Sequence, residues 1–145
     1  MNITASVAIA VSAAFNVTPA QMPPLPAPMP QVQTVKEYVE QYFADEPILA
    51  AIASCESQYR QFDKNGDVLK NSAGSSAVGL FQIMSSIHSD FADDKLGLDI
   101  NTLQGNAAYA RYLYDKQGLK PWEASKACWS KSQAYKNMQA LALNK

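Results

Sequence analysis

Histidine is nearly absent from this chain, cysteine occurs twice, and no Lys or Arg precedes Lys36. The lone His88 excludes a multi-histidine metal site. Cys55 and Cys128 form no Cys-x-x-Cys pair, so a cysteine-built zinc site is excluded too. No metal and no cofactor is expected. Charge is nearly balanced, with 12 Lys and Arg against 13 Asp and Glu. There is no basic surplus for a nucleic-acid partner and no acidic solvating tail. No internal repeat is visible. The 145 residues suffice for one domain with appendages.

The missing early cations matter for the N-terminus. Ile3 to Val17 is apolar, rich in Ala and Val, and too short to span a bilayer comfortably; Thr18-Pro19-Ala20 supplies small residues around a cut. Residues 1–20 are therefore expected to be a signal peptide without its usual positive n-region. The alternatives are an apolar tail or a start codon placed too far downstream. Export would place the chain outside the cell or in its envelope (periplasm or cell wall), with no membrane span in the mature protein. It would also permit a Cys55–Cys128 disulfide, because that compartment is oxidising. Residues 21–33 hold Pro23, Pro24, Pro26, Pro28 and Pro30 and are expected to be an extended linker.

The folded part is expected over 34–145, with its core in 47–129. Val35, Tyr38, Val39, Tyr42 and Phe43 recur at helical spacing after Thr34, a good N-cap. Pro47 suits the first turn of a second helix, whose face carries Ile48, Ile52, Cys55 and Tyr59. Asn65-Gly66 between two short runs predicts a hairpin over 62–69. Asp63, Asn65 and Asp67 do not make an EF-hand, since Gly falls at the fourth and twelfth positions rather than Gly at the sixth and Glu at the twelfth. Ser85 or Ser86 is expected to cap a helix carrying Met84, Ile87 and Phe91, with His88 at the border of that face and Gly97 as its stop. Thr102 opens a helix with Leu103, Ala107, Ala110, Leu113 and Tyr114 on its stripe, stopped by Gly118. A short helix from Pro121 to Trp129 and a weaker one over 132–143 complete a mainly α (α+β) fold with one small β-hairpin.

Glu56 stands at the border of the second helix's apolar stripe. That placement would desolvate it without sealing it off, and a carboxyl with a raised pKa can protonate a leaving oxygen at neutral pH. The plain alternative is an exposed charge at a helix end.

Glu56-Ser57, then Gly79-Leu80-Phe81-Gln82-Ile83-Met84, then Asn106 with Tyr109 and Tyr112-Leu113, resemble the soluble lytic transglycosylase domain of the goose-type lysozyme-like superfamily. The resemblance covers about Ile48 to Trp129. Cys55 before the Glu and Cys128 after a Gly118…Trp122 segment resemble the resuscitation-promoting factors, whose lysozyme-like domain joins such cysteines. The resemblance implies a lysozyme-like helical domain that cuts peptidoglycan between N-acetylmuramic acid and N-acetylglucosamine, as a monomer. It makes Glu56 the acid and base of a reaction that leaves a 1,6-anhydro sugar. It places Ser57 near substrate or steadying the Glu, Gln82 beside the saccharide, and Phe81 where the family often has Met, its ring either stacked on a sugar face or packed in the core. Gly79 would serve backbone geometry, Tyr112 and Trp122 would line the groove or pack in the core, and Asn106 would fix a helix start. A Cys55–Cys128 bridge would close a loop of about 70 residues, worth roughly 4 kcal/mol in the chain-entropy model; the alternative is two buried thiols. Where the family has a late Ala-Tyr-Asn, this chain has Ser125-Lys126-Ala127-Cys128-Trp129. That departure leaves a hydrolytic lysozyme open, with Asp63 or Asp67 as second carboxylate. It also leaves open a non-catalytic glycan-binding module and a helical assembly protein.

Overall fold

A computed structural model of the chain describes residues 33–144. The expected signal peptide and all but Gln33 of the proline-rich linker lie outside the described residues. Six α-helices and a two-stranded antiparallel sheet follow in the order α1 (Val35–Tyr42), α2 (Pro47–Ser57), β1 (Ala77–Val78), β2 (Ile83–Met84), α3 (Ser85–Leu96), α4 (Leu103–Gln117), a 3-10 turn (Lys120–Ser125), α5 (Lys126–Trp129) and α6 (Gln133–Leu143). The fold is mainly α with one small sheet, as the periodicities predict.

Local chemistry sets the helix ends. Thr34 Oγ1 accepts from Glu37 N (3.2 Å), and Glu37 Oε2 accepts from Thr34 N (2.9 Å), a reciprocal cap that starts α1. Pro47 is the first residue of α2, where its missing N–H costs nothing. Thr102 caps α4 through Gly105 N (3.0 Å), and Gly97 closes α3 in the left-handed conformation.

The core is built around α2. Ile48, Leu49, Ile52 and Ala53 are buried, and α2 packs against α1, α5, α6 and the 3-10 turn. From α4, Leu103, Ala107, Ala108, Ala110 and Leu113 close the opposite side. Phe43 meets Phe81 edge-on at 5.5 Å, and Phe81 meets Trp122 at 5.8 Å, so aromatic packing ties α1 to the β1–β2 loop and to the 3-10 turn.

Four local expectations are corrected. The Asn65-Gly66 segment makes a single bridge, Phe62 to Val68, and the two-stranded hairpin forms instead around Gly79–Gln82. Asp63 Oδ1 accepts from Asn65 N (2.8 Å) and Asp67 N (3.1 Å), which makes a side-chain-stapled turn in place of a strand pair. Neither Ser85 nor Ser86 caps α3: its N-cap is Met84, and Ser85 Oγ donates to Ser76 O (2.8 Å). The Met84, Ile87, Phe91 face of α3 is exposed, Ile87 at 63%, because α3 buries only Ala92. Lastly, α2 ends at Ser57, so Tyr59 leaves the helical face; Gln58 and Tyr59 both have positive φ.

Candidate active site

Glu56 lies in the last turn of α2 and is half-buried. Its Oε1 accepts a 2.6 Å hydrogen bond from Ser125 Oγ, and no protein donor within the described residues reaches its other oxygen. Burial pushes the carboxyl pKa up from its usual value, and the Ser125 hydroxyl partly offsets this. No cation contributes to the shift.

The disulfide is present. Cys55 and Cys128 are joined with their Cα atoms 6.0 Å apart across 73 positions of sequence. One half precedes Glu56 and the other lies three residues beyond Ser125. The bridge therefore fastens together the two elements that carry the carboxyl and its hydroxyl donor.

The Gly79–Gln82 loop is fixed peptide by peptide. Leu80 N donates to Gln61 Oε1 (2.8 Å), and Leu80 O accepts from Ser57 Oγ (2.7 Å). Phe81 N donates to Asn106 Oδ1 (2.9 Å), and Phe81 O accepts from Trp122 Nε1 (3.1 Å). Gly79 O accepts from Gln82 Nε2 (2.9 Å). Gly79 has φ 70°, and a Cβ there would sit 2.6 Å from both the Asn106 and Gln61 amides, so only glycine fits. From the loop the hydrogen bonds continue: Trp122 O accepts from Trp129 Nε1 (2.8 Å) and lies 3.1 Å from Ser125 Oγ, which reaches Glu56. The carboxyl is thus linked through Ser125 and Trp122 to a loop held by buried amides.

Backbone strain gathers in the same place. Among the described residues the only non-glycine positions with positive φ are Gln58 (55°), Tyr59 (60°) and Gln82 (49°). Each costs of order 1 kcal/mol or more, and such strain concentrates at functional sites.

The expected site residues divide accordingly. Glu56 and the Gly79–Gln82 loop are brought together, through Ser57 and Trp122. Ser57, Phe81 and Trp122 are buried: Ser57 Oγ reaches Ala53 O and Leu80 O at the end of α2, and the two rings lie in the core, which is the packing alternative for both. Gln82 and Tyr112 keep partial exposure, and Tyr112 stacks with Tyr109 (5.6 Å) and meets Phe91 at a tilt (5.7 Å). Asn106 does not fix a helix start, which is the work of Thr102. It spans from Phe81 N to Val78 O (3.2 Å) and Ile100 O (2.8 Å). His88 is not without a partner: its Nδ1 lies 3.0 Å from Tyr109 Oη. Sequence reasoning missed Gln61 and Ser125, whose partners Leu80 and Glu56 lie 19 and 69 positions away.

Concavities are present away from Glu56. One of about 280 Å³ is ringed by Asp90, Asp93, Asp94 and Asp99, and another of about 760 Å³ runs between Pro47, Tyr114 and Met138. Among the described residues no group of three or more His, Cys, Asp or Glu is placed to hold a metal ion, and no helix is long and apolar enough to cross a membrane. Comparison of the chain with family models, curated proteins and solved structures finds no match.

Proposed function

We propose that this chain cleaves peptidoglycan glycan strands by the lytic transglycosylase route, as a secreted or envelope-facing monomer with Glu56 as its acid and base. One observation carries the reading: Glu56 is a half-buried carboxyl whose partner among the described residues is one hydroxyl, with no countercharge there, so burial raises its pKa. Such a group holds its proton closer to neutrality than a solvated carboxylate does.

Glu56 gives that proton to the glycosidic oxygen between N-acetylmuramic acid and N-acetylglucosamine as the C1–O bond breaks. The resulting carboxylate takes the proton of the muramic acid C6 hydroxyl, whose oxygen closes onto C1. The product ends in a 1,6-anhydro sugar and the acid is restored, so one carboxyl serves both steps. The second carboxylate of a hydrolase is not needed. Asp63 is occupied in its turn, where its Oδ1 holds two backbone amides, and Asp67 is exposed. Gln82 and Tyr112 are the expected site residues left with exposed surface for a saccharide.

The test is digestion of purified sacculi followed by mass analysis of the soluble muropeptides. Anhydro ends support the proposal, and reducing ends support a hydrolytic lysozyme instead. Binding to sacculi without release supports a glycan-binding module, and neither binding nor release leaves the assembly protein.

A further inference from the structure

Ser125 was assigned no role by the resemblance, yet it is the only protein partner of the Glu56 carboxyl among the described residues. Its position is determined from three sides. It ends the 3-10 turn, whose Trp122 is buried with its indole bound to the Phe81 carbonyl. Its own Oγ lies 3.1 Å from Trp122 O. Cys128, three residues on, is bonded to Cys55, the residue before Glu56. A hydroxyl so anchored meets the same carboxyl oxygen each time.

We propose that Ser125 is the positioning residue of Glu56: it occupies Oε1, so Oε2 is the oxygen that gives and takes the reacting proton. The assignment rests on the reading of Glu56 as acid and base. The proton on Oε2 passes to the glycosidic oxygen, and Oε2 then receives the C6 hydroxyl proton. The Ser125 proton stays on Oγ throughout; of its two acceptors, Oε1 at 2.6 Å is nearer than Trp122 O at 3.1 Å. Because Ser125 donates, it favours the carboxylate and opposes the rise that burial imposes, which keeps the group able to act as base after it has acted as acid. The charged groups on the elements packed against α2 are engaged away from this pair or add nothing to it. Lys126 pairs with Glu123, Lys36 with Glu40, Glu37 with Thr34, and Lys120, Lys136 and the α2-entry residues Asp45 and Glu46 make no contribution to the Glu56 shift.

The experiment has two readouts on the full chain. Carbon-13 NMR of labelled glutamate, with Glu56 assigned from Glu56→Gln, follows the carboxyl titration directly. The pH dependence of cleavage of a defined glycan chain follows the reaction. In Ser125→Ala, Glu56 is expected to titrate at higher pH than in wild type, and the basic limb of the pH–rate profile to move the same way. The kcat is expected to fall roughly ten- to hundredfold with KM held, the factor a hydrogen bond to a charged group supplies. Ser125→Thr, which keeps the hydroxyl, is expected to restore both. Should Ser125→Ala not fold, Ser125→Val, isosteric with the Thr variant but without its hydroxyl, reads the same quantities. Coincident titrations and profiles for wild type and the hydroxyl-free variant would overturn the assignment. If wild type releases no product, the glycan-cleaving reading fails, and the titration alone decides Ser125: a shift supports the tie to Oε1, and no shift overturns it.

Discussion

Asn106→Leu removes the amide that holds the Gly79–Gln82 loop while keeping the branched shape of the side chain. Asn106 is fully buried and makes three hydrogen bonds, from Phe81 N at 2.9 Å and to Val78 O and Ile100 O at 3.2 and 2.8 Å. Phe81 N has no other partner among the described residues, so its N–H is left buried and unpaired, at a cost of about 1–3 kcal/mol. Ile100 O keeps only the long 3.4 Å contact from Gln61 Nε2, and Val78 O loses a donor of its own. The three losses together amount to about 3–5 kcal/mol, a large share of the roughly 5–15 kcal/mol a domain possesses. Urea unfolding followed by far-UV circular dichroism reads this as a lower midpoint at unchanged slope. Asn106→Asp sharpens the test. It still accepts from Phe81 N but turns an acceptor toward two carbonyls, so it is expected to be no better than Leu near neutral pH. A loss below about 1 kcal/mol in both variants would refute the claim that buried amides, rather than ring packing, fix the loop.

Three further outcomes follow from the same geometry. The raised pKa of Glu56 means that the folded state binds its proton more tightly than the unfolded chain, so ionising Glu56 destabilises the fold as pH rises through the folded pKa. Glu56→Gln is therefore expected to gain stability relative to wild type near neutrality, with the gain vanishing below the ordinary carboxylate range; thermal melts at several pH values check it. Replacing both Cys55 and Cys128 by Ala opens a closure of 73 positions and is expected to cost about 4 kcal/mol by denaturant titration. Gly79→Ala, with its Cβ against two buried amides at φ 70°, is expected to cost more than about 2 kcal/mol, whereas Gly66→Ala at φ 86° meets nothing within 4 Å and pays only the left-handed backbone term of about 1–2 kcal/mol.

What was legible in the sequence is what local chemistry decides. Thr34, Pro47, Gly97, Thr102 and Gly118 mark helix ends through groups within a few residues of themselves, and the helices begin or stop beside them. The α4 stripe faces the core because its spacing leaves it no other face. The failures share a cause as well. Asn65-Gly66 is a good turn, but a hairpin also needs strands to pair, and Asp63 captures the local amides first. Met84, Ile87 and Phe91 align on α3, yet a stripe records only that a face is apolar and not that another element covers it. Glu56 was identifiable from its border position. Ser125 was not, since a contact across 69 positions depends on the disulfide and on two buried indoles that local pattern does not reveal.

The central claim is that a sheltered Glu56 transfers the proton that breaks the glycan. Incubating sacculi with equal amounts of folded wild type and Glu56→Gln measures it most directly. The account predicts release of soluble muropeptides by wild type and at least about a hundredfold less by the variant, which supplies no transferable proton while still sedimenting with the sacculi. Equal release by the two proteins would contradict it.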